Sequence, residues 1–398
     1  MTASPIIIVS GALANKPWNG GEAWVRLSWI LGLRRLGYQV YFVEQIAAGA
    51  CVDHKANAVS FEASTNLAFF RHVTRTFGLN ASLICGDGQL FEGLSREQLL
   101  NAADEAELLV NISGHLDWPP LFDRIRCKAY IDIDPGYTQF WHEQGNTGAR
   151  LRGHDLYFTI AENIGRDDCT IPTCGLEWLP IRQPVVLDEW PVCETPSADP
   201  RSVRFTTVAS WRGSFGPVTA AGRTFGSKAH EFRKVLPLPQ RVAGGTFEIA
   251  LAIHRGDEPD LQALCAHGWR ITAPANVAAD PDAFRRYVQD SAAEFSVAQG
   301  IYVETHSGWV SDRTIRYLAS GLPALVQNTG LASNYPCGRG LVTFDNLDGA
   351  ADAAEQIACD YAMHARAARA VAEEYFDSDR VLSGFLKRVS LPCVPVMT

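Results

Sequence analysis

Glu304 and Asp312, with seven residues between them, bracket the turn Ser307-Gly308-Trp309-Val310-Ser311. Ahead of it, Ile301, Tyr302 and Val303 form a β-prone run that Ser307 and Gly308 break. Ser311 stands where a helix N-cap would, before Ile315, Leu318 and Ala319 at helical spacing. Gly321 and Pro323 stop that helix, and Ala324–Gln327 resumes an extended run. The segment 300–330 therefore reads as strand, turn, helix, strand. Such a turn aims free backbone N–H groups and the positive helix end at one point, which suits a phosphate. An acid on either side of it points to a nucleotide-linked ligand.

Other residues could join such a site. Asn111-Ile-Ser-Gly-His115 closes an expected strand at its carboxyl end, where ligands of α/β sheets bind, so His115 is a candidate. Asp132-Ile-Asp134 closes another, and the two-residue period of a strand puts Asp132 and Asp134 on one face. Gly11 and the pair Gly20-Gly21 lie in the loop after the first strand, where a backbone can approach a ligand closely. Trp18, Trp118, Tyr137, Phe140 and Trp141 are aromatic groups of the same half that could stack on a sugar or a planar aglycone.

These residues need a frame. With 398 residues, 47% of them apolar and 20% charged, the chain reads as a globular protein of two domains. A net charge of −9 argues against a nucleic-acid binder. No apolar run is long enough to span a bilayer, and the N-terminal Pro5–Val9 run lacks a charged flank, so a cytoplasmic protein is expected. The ten cysteines lack metal-binding or disulfide spacing and read as free thiols.

In the first half, Ile6–Val9, Gln39–Val43, Ala81–Cys85, Leu108–Ile112, Ala129–Ile133 and Leu156–Ile160 read as strands alternating with helical stretches. Between Leu179 and Arg204 the pattern lapses into a proline-rich linker. Alternation then restarts with Phe205–Ser210, Phe247–Ile253, Trp269–Ala273, Gly300–Val303 and Ala324–Gln327. Helices follow over 350–375 and 378–389. The expected units are 1–183, a linker 184–203, 204–376, and a terminal helix and tail 377–398.

The Glu304-x7-Asp312 segment with its following Ala319-Ser-Gly-Leu-Pro323 resembles the donor-sugar segment of GT-B glycosyltransferases, closest to the retaining Glu-x7-Glu type. The resemblance is close in the second half and loose in the first. It implies an α/β fold of two tandem Rossmann-like domains, an interdomain cleft, and a final helix crossing back to the first domain. In that family the first acid lies near the sugar hydroxyls, the turn amides hold the pyrophosphate, and the second acid binds the ribose. Asp312 is one methylene shorter than the usual glutamate. Retaining members carry an Arg and a Lys early in the second domain that neutralise the leaving diphosphate; Arg212 and Lys228 match by position, across a longer insertion, Ser214–Gly226. A His that hydrogen-bonds the donor sugar corresponds to His115.

The resemblance thus implies Glu304 and His115 in catalysis. It puts Arg212, Lys228, Ser307, Gly308, Trp309, Val310, Ser311 and Asp312 on the donor, with Gly20, Gly21, Trp18, Asp132 and Asp134 on the acceptor side. The expected reaction is metal-independent, retaining transfer of a sugar from a nucleoside diphosphate to a small soluble acceptor, such as a secondary metabolite. No cofactor, nucleic acid or membrane is expected. Although Asp132-x-Asp134 has the spelling of a metal-binding DxD, that motif belongs to a different transferase fold. Two alternatives stay open: an inverting transferase with Asp132, Asp134 or Asp117 as base, and a non-catalytic two-domain ligand binder.

Overall fold

A computed structural model describes residues 4–193, 203–220 and 222–390. Nine residues of the expected linker (194–202) and the tail 391–398, with Cys393, lie outside the described residues. Two parallel sheets dominate. In the first, β1 (Ile6–Ser10), β2 (Gln39–Ile46), β3 (Asn80–Cys85), β4 (Leu90–Gly93), β5 (Ala106–Ile112), β6 (Lys128–Asp132), β7 (Leu156–Thr159) and β8 (Trp178–Pro180) run in the order 4-3-2-1-5-6-7-8. Only β4 pairs antiparallel, on the edge of β3. β1 is buried at every residue, as befits an apolar run covered by helices on both faces.

The second sheet has the order β13-β12-β9-β14-β15-β16, all parallel. Its strands are β9 (Arg204–Ser210), β12 (Thr246–Ala252), β13 (Arg270–Thr272), β14 (Ala293–Ser296), β15 (Ala324–Gln327) and β16 (Leu341–Phe344). Between β9 and β12, the insertion forms a hairpin of β10 (Val218–Ala220) and β11 (Arg223–Phe225).

One expectation fails here. Gly300–Val303 is not a strand but most of a short helix, Gly300–Glu304, and the strand before the turn is β14. A four-residue apolar run does not separate strand from helix. In β14 the charged Glu294 obscured the strand; it is fully buried, with Arg313 Nε donating to it at 2.7 Å. The helix expected after the turn is present as Asp312–Ala319, with Ser311 as its N-cap.

The C-terminal helix Ser378–Arg388 returns to the first sheet, where Phe385 packs edge-on against Trp29 at 5.2 Å and against Phe158 at 4.9 Å. Residues 184–193 are packed rather than loose: Trp190 is fully buried and meets Trp24 at 5.1 Å.

Gly20 opens the helix Gly20–Arg35 and donates its amide to Ala278 O at 2.8 Å, docking the first half on the second. A Cβ at Gly20 would lie 2.0 Å from the Asp280 carbonyl oxygen. Gly20→Ala is therefore expected to cost about 1–3 kcal/mol of stability through forced backbone displacement, read as a lowered melting temperature. An unchanged melting temperature would mean that this contact is not tight in solution.

Candidate active site

The carboxyl ends of β1, β5 and β6 face those of β9 and β14 across a cavity of about 390 Å³. Such a crevice is where open α/β sheets take their ligands. The first half contributes Lys16, Glu22, Arg26, His115, Asp134, Trp141 and Arg150; the second contributes Phe215, Lys228, Tyr302, Trp309, Ser311, Asp312 and Arg313.

Each wall is held from behind. At the end of β2 the buried Glu44 carboxylate accepts from the amides of Ala14 (2.6 Å) and Asn15 (2.8 Å), fixing the loop that carries Lys16. Asp132 ends β6 with no exposure. It accepts from Thr138 Oγ1, Gln139 Nε2 and Thr159 Oγ1, each at 2.8 Å, and from the Asp134 amide at 3.1 Å. Asp132 is thus a structural anchor, and the loop it anchors presents Asp134 to the cavity. Across the cleft, Arg313 is fixed by Glu294 (2.7 Å), Val208 O (2.8 Å) and Ser296 Oγ (2.8 Å).

The electrostatics are unusual on both walls. Burial, then repulsion from Glu22 and Asp132, raises the Asp134 carboxyl to about 7. Among the described residues no side chain hydrogen-bonds that carboxyl, so it is free to take a proton. Burial, then the neighbouring Arg313, lowers Lys228 to about 7. Burial, then Arg150, Arg26 and Lys16, lowers His115 to about 3. His115 is therefore neutral, and since Arg150 Nη1 can only donate to its Nδ1 (2.7 Å), the ring proton sits on Nε2. Although burial opposes it, Arg26 and Lys16 hold Glu22 ionised, down to about 2.

Among the expected site residues, His115, Lys228, Trp309, Ser311, Asp312 and Asp134 converge on this cavity. Others do not line it. Glu304 pairs with Arg223 of β11 at 2.5 Å, so the two acids of the motif do not share the cavity. Arg212 is exposed and held by Asp257 through two bonds (2.8 and 2.7 Å). The Gly308 amide is taken by Thr329 O (2.7 Å) and the Trp309 amide by Ser307 Oγ (3.2 Å), while Ser307 Oγ itself donates to Tyr302 O. Among the described residues the amides of Val310 and Ser311 remain without a partner. Gly20 and Gly21 face Asp280 and Phe284, not a ligand. Trp18 leans on Phe69 and His72, and Asp117 is exposed outside the cavity.

Sequence reasoning missed Arg26, Arg150 and Arg313. Glu22 and Arg26 have the i,i+4 spacing of an ordinary surface pair, yet Arg26 is 2% exposed. Arg313 adjoins Asp312 on the helix Asp312–Ala319, and its partner, the buried Glu294, lies nineteen residues earlier in β14, so no local pattern marks it.

No family model matches the chain, and no curated protein matches it significantly. Solved structures do, over nearly the whole length. HepE of Anabaena, crystallised with UDP-glucose, aligns at TM-score 0.58 with 11% identity, covering 97% of this chain and 99% of that one. A glycosyltransferase from Rickettsia africae aligns at 0.53 and 10%, covering 97% and 98%. AviGT4, a glycosyltransferase involved in avilamycin A biosynthesis, aligns at 0.53 and 11%, covering 97% of each chain. This is the GT-B fold. At such identities the likeness establishes the fold alone, so function rests on the cavity. Among the described residues no helix is long and apolar enough to cross a membrane.

Proposed function

We propose that this protein transfers a glycosyl group from a nucleoside-diphosphate sugar to a hydroxyl of a small acceptor. The observation that carries this reading is the cavity between the two sheets, which has cations on both walls and an open helix start on one. Lys228, with the free amide of Ser311 at the helix start, would take the diphosphate, whose charge grows as the sugar leaves. Asp312, in the first turn of that helix, would take the ribose. The His115 Nε2–H would donate to a sugar hydroxyl. These groups can supply the counter-charge without a metal, and we propose a metal-independent reaction. Three solved structures of one neighbour, holding UDP, UDP with glucose, or UDP-glucose, support the choice of ligand class.

Resemblance to the retaining type supports retention, in which the leaving phosphate itself can take the acceptor proton. A specific observation favours a second reading: the Asp134 carboxyl faces the cavity without a partner and titrates near neutrality, as a base for an inverting displacement would.

A thermal-shift screen against UDP, GDP, ADP, CDP and dTDP, with and without EDTA, tests the main reading. A diphosphate at 100 times its Kd adds about 2.7 kcal/mol of stability. We expect one to raise the melting temperature with EDTA present. If none shifts the protein, the nucleotide-sugar reading is wrong and a binder of some other small molecule takes its place. A shift abolished by EDTA would overturn metal independence only.

A further inference from the structure

The two walls carry separate sets of charge. On the second-domain wall, Glu294 holds Arg313 and Arg316 pairs with Asp312 at 3.1 Å, leaving Lys228 and the helix start for the donor. The first-domain wall holds three cations, Lys16, Arg26 and Arg150, against two carboxyls, Glu22 and Asp134. Even with both carboxyls ionised, one positive charge is uncancelled.

That charge centres on Arg150. Glu22 is shared by Arg26 and Lys16, the latter at 3.8 Å. Among the described residues no acid pairs with Arg150; its side-chain partner is the neutral His115. Its backbone is left-handed, φ 52° and ψ 32°, at the end of the short turn Thr147–Ala149. For a residue with a Cβ that conformation costs on the order of 1 kcal/mol. On the same wall Arg26 is only 2% exposed, and its Nη1 donates to the main-chain carbonyl and the carboxylate of Glu22, so it adds its positive field to the wall. Trp141 and Phe215 meet edge to face at 4.8 Å and line the same cavity.

We propose that the acceptor is an acid: a small ring-bearing hydroxyl compound whose carboxylate or phosphate docks on Arg150 and Lys16, in the field of Arg26, while its ring lies against Trp141 and Phe215. This rests on the glycosyl-transfer reading, since it needs the other wall to hold the donor. Arg150 presents a planar fork suited to either oxyanion, and Lys16 adds a point charge. The anion would hold the acceptor hydroxyl near Asp134.

The test is a titration of the full chain saturated with whichever nucleoside diphosphate binds, using inorganic phosphate in one arm and glucuronate in the other. Chloride at matched ionic strength is the control. We expect saturable binding of one anion; the arm in which it appears distinguishes phosphate from carboxylate. Arg150→Gly suits the left-handed backbone and removes the charge without adding strain, and it should weaken that binding at least tenfold. Lys16→Met should weaken it similarly, and Arg150→Lys should recover part of the loss. Binding of neither anion beyond chloride, or binding indifferent to both charge deletions, overturns the acidic acceptor while leaving the diphosphate result standing. Absence of any diphosphate binding overturns the transfer reading, and this proposal with it.

Discussion

Asp134→Asn is expected to lower kcat by roughly 10²–10⁴-fold if the carboxyl is the base that takes the acceptor proton. Wild-type kcat/KM should rise with pH through about 7, where Asp134 loses its proton, and this limb should vanish in the variant. Stability gives an independent readout of opposite sign. The folded-state value is raised above the ordinary 3.8, so the protonated form favours folding and that advantage is lost as pH rises through about 7. Asparagine carries no charge, so the variant should melt higher than wild type at pH 8 while being far less active. This is the trade expected of a charged group kept in an unfavourable place for function. The anomeric configuration of the product, read by NMR, completes the argument. Retention, with activity within a few-fold of wild type in the variant, would dismiss Asp134 as base and leave the leaving phosphate in that role.

The arrangement of the two sheets was legible because buried parallel strands are written as short apolar runs. Ile6–Ser10, Ala106–Ile112 and Ala324–Gln327 are such runs. What escaped were β14 with its buried Glu294, β4, exposed on an edge, and β8, β10, β11 and β16, which at three or four residues are too short to show a pattern. The site was legible where a residue follows a strand directly, as His115 and Asp134 do, because the strand end fixes its place. It was illegible where a cation reaches the cavity from a helix face or a loop. Arg26 is placed by helical phase and tertiary burial, and Arg150 by a left-handed residue in a turn that no local pattern announces. The two acids of the motif do not share the cavity for a related reason. Spacing of seven was read without knowing that a helix, Gly300–Glu304, carries the first acid; that acid pairs with Arg223 of the hairpin.

Lys228 makes the second large prediction. Burial and Arg313 leave it half-protonated near pH 7 in the free protein, but beside a diphosphate it must be charged. Binding should therefore take up a proton whenever the pH exceeds about 7. Linkage at pH 8 predicts uptake of about 0.9 proton per ligand, and affinity falling by nearly tenfold per pH unit above that point. A nucleotide sugar is the cleaner ligand, because a diphosphate esterified at both ends does not titrate in this range. Calorimetry in two buffers of different ionisation enthalpy reads the proton directly. Lys228→Met should abolish the uptake and weaken binding by roughly 10–100-fold at pH 6, where the wild-type ammonium is already formed. At pH 9 the gap should narrow, since the wild type must then protonate a neutral amine before it gains the contact. Equal wild-type affinity at pH 6 and pH 9 would mean that Lys228 does not meet the diphosphate, and the donor would have to be held by the helix start. The same titration shapes turnover: if Asp134 is the base and must be ionised while Lys228 must be charged, kcat/KM should peak close to neutrality. Each substitution should remove one limb of that profile, the acidic limb with Asp134→Asn and the basic limb with Lys228→Met.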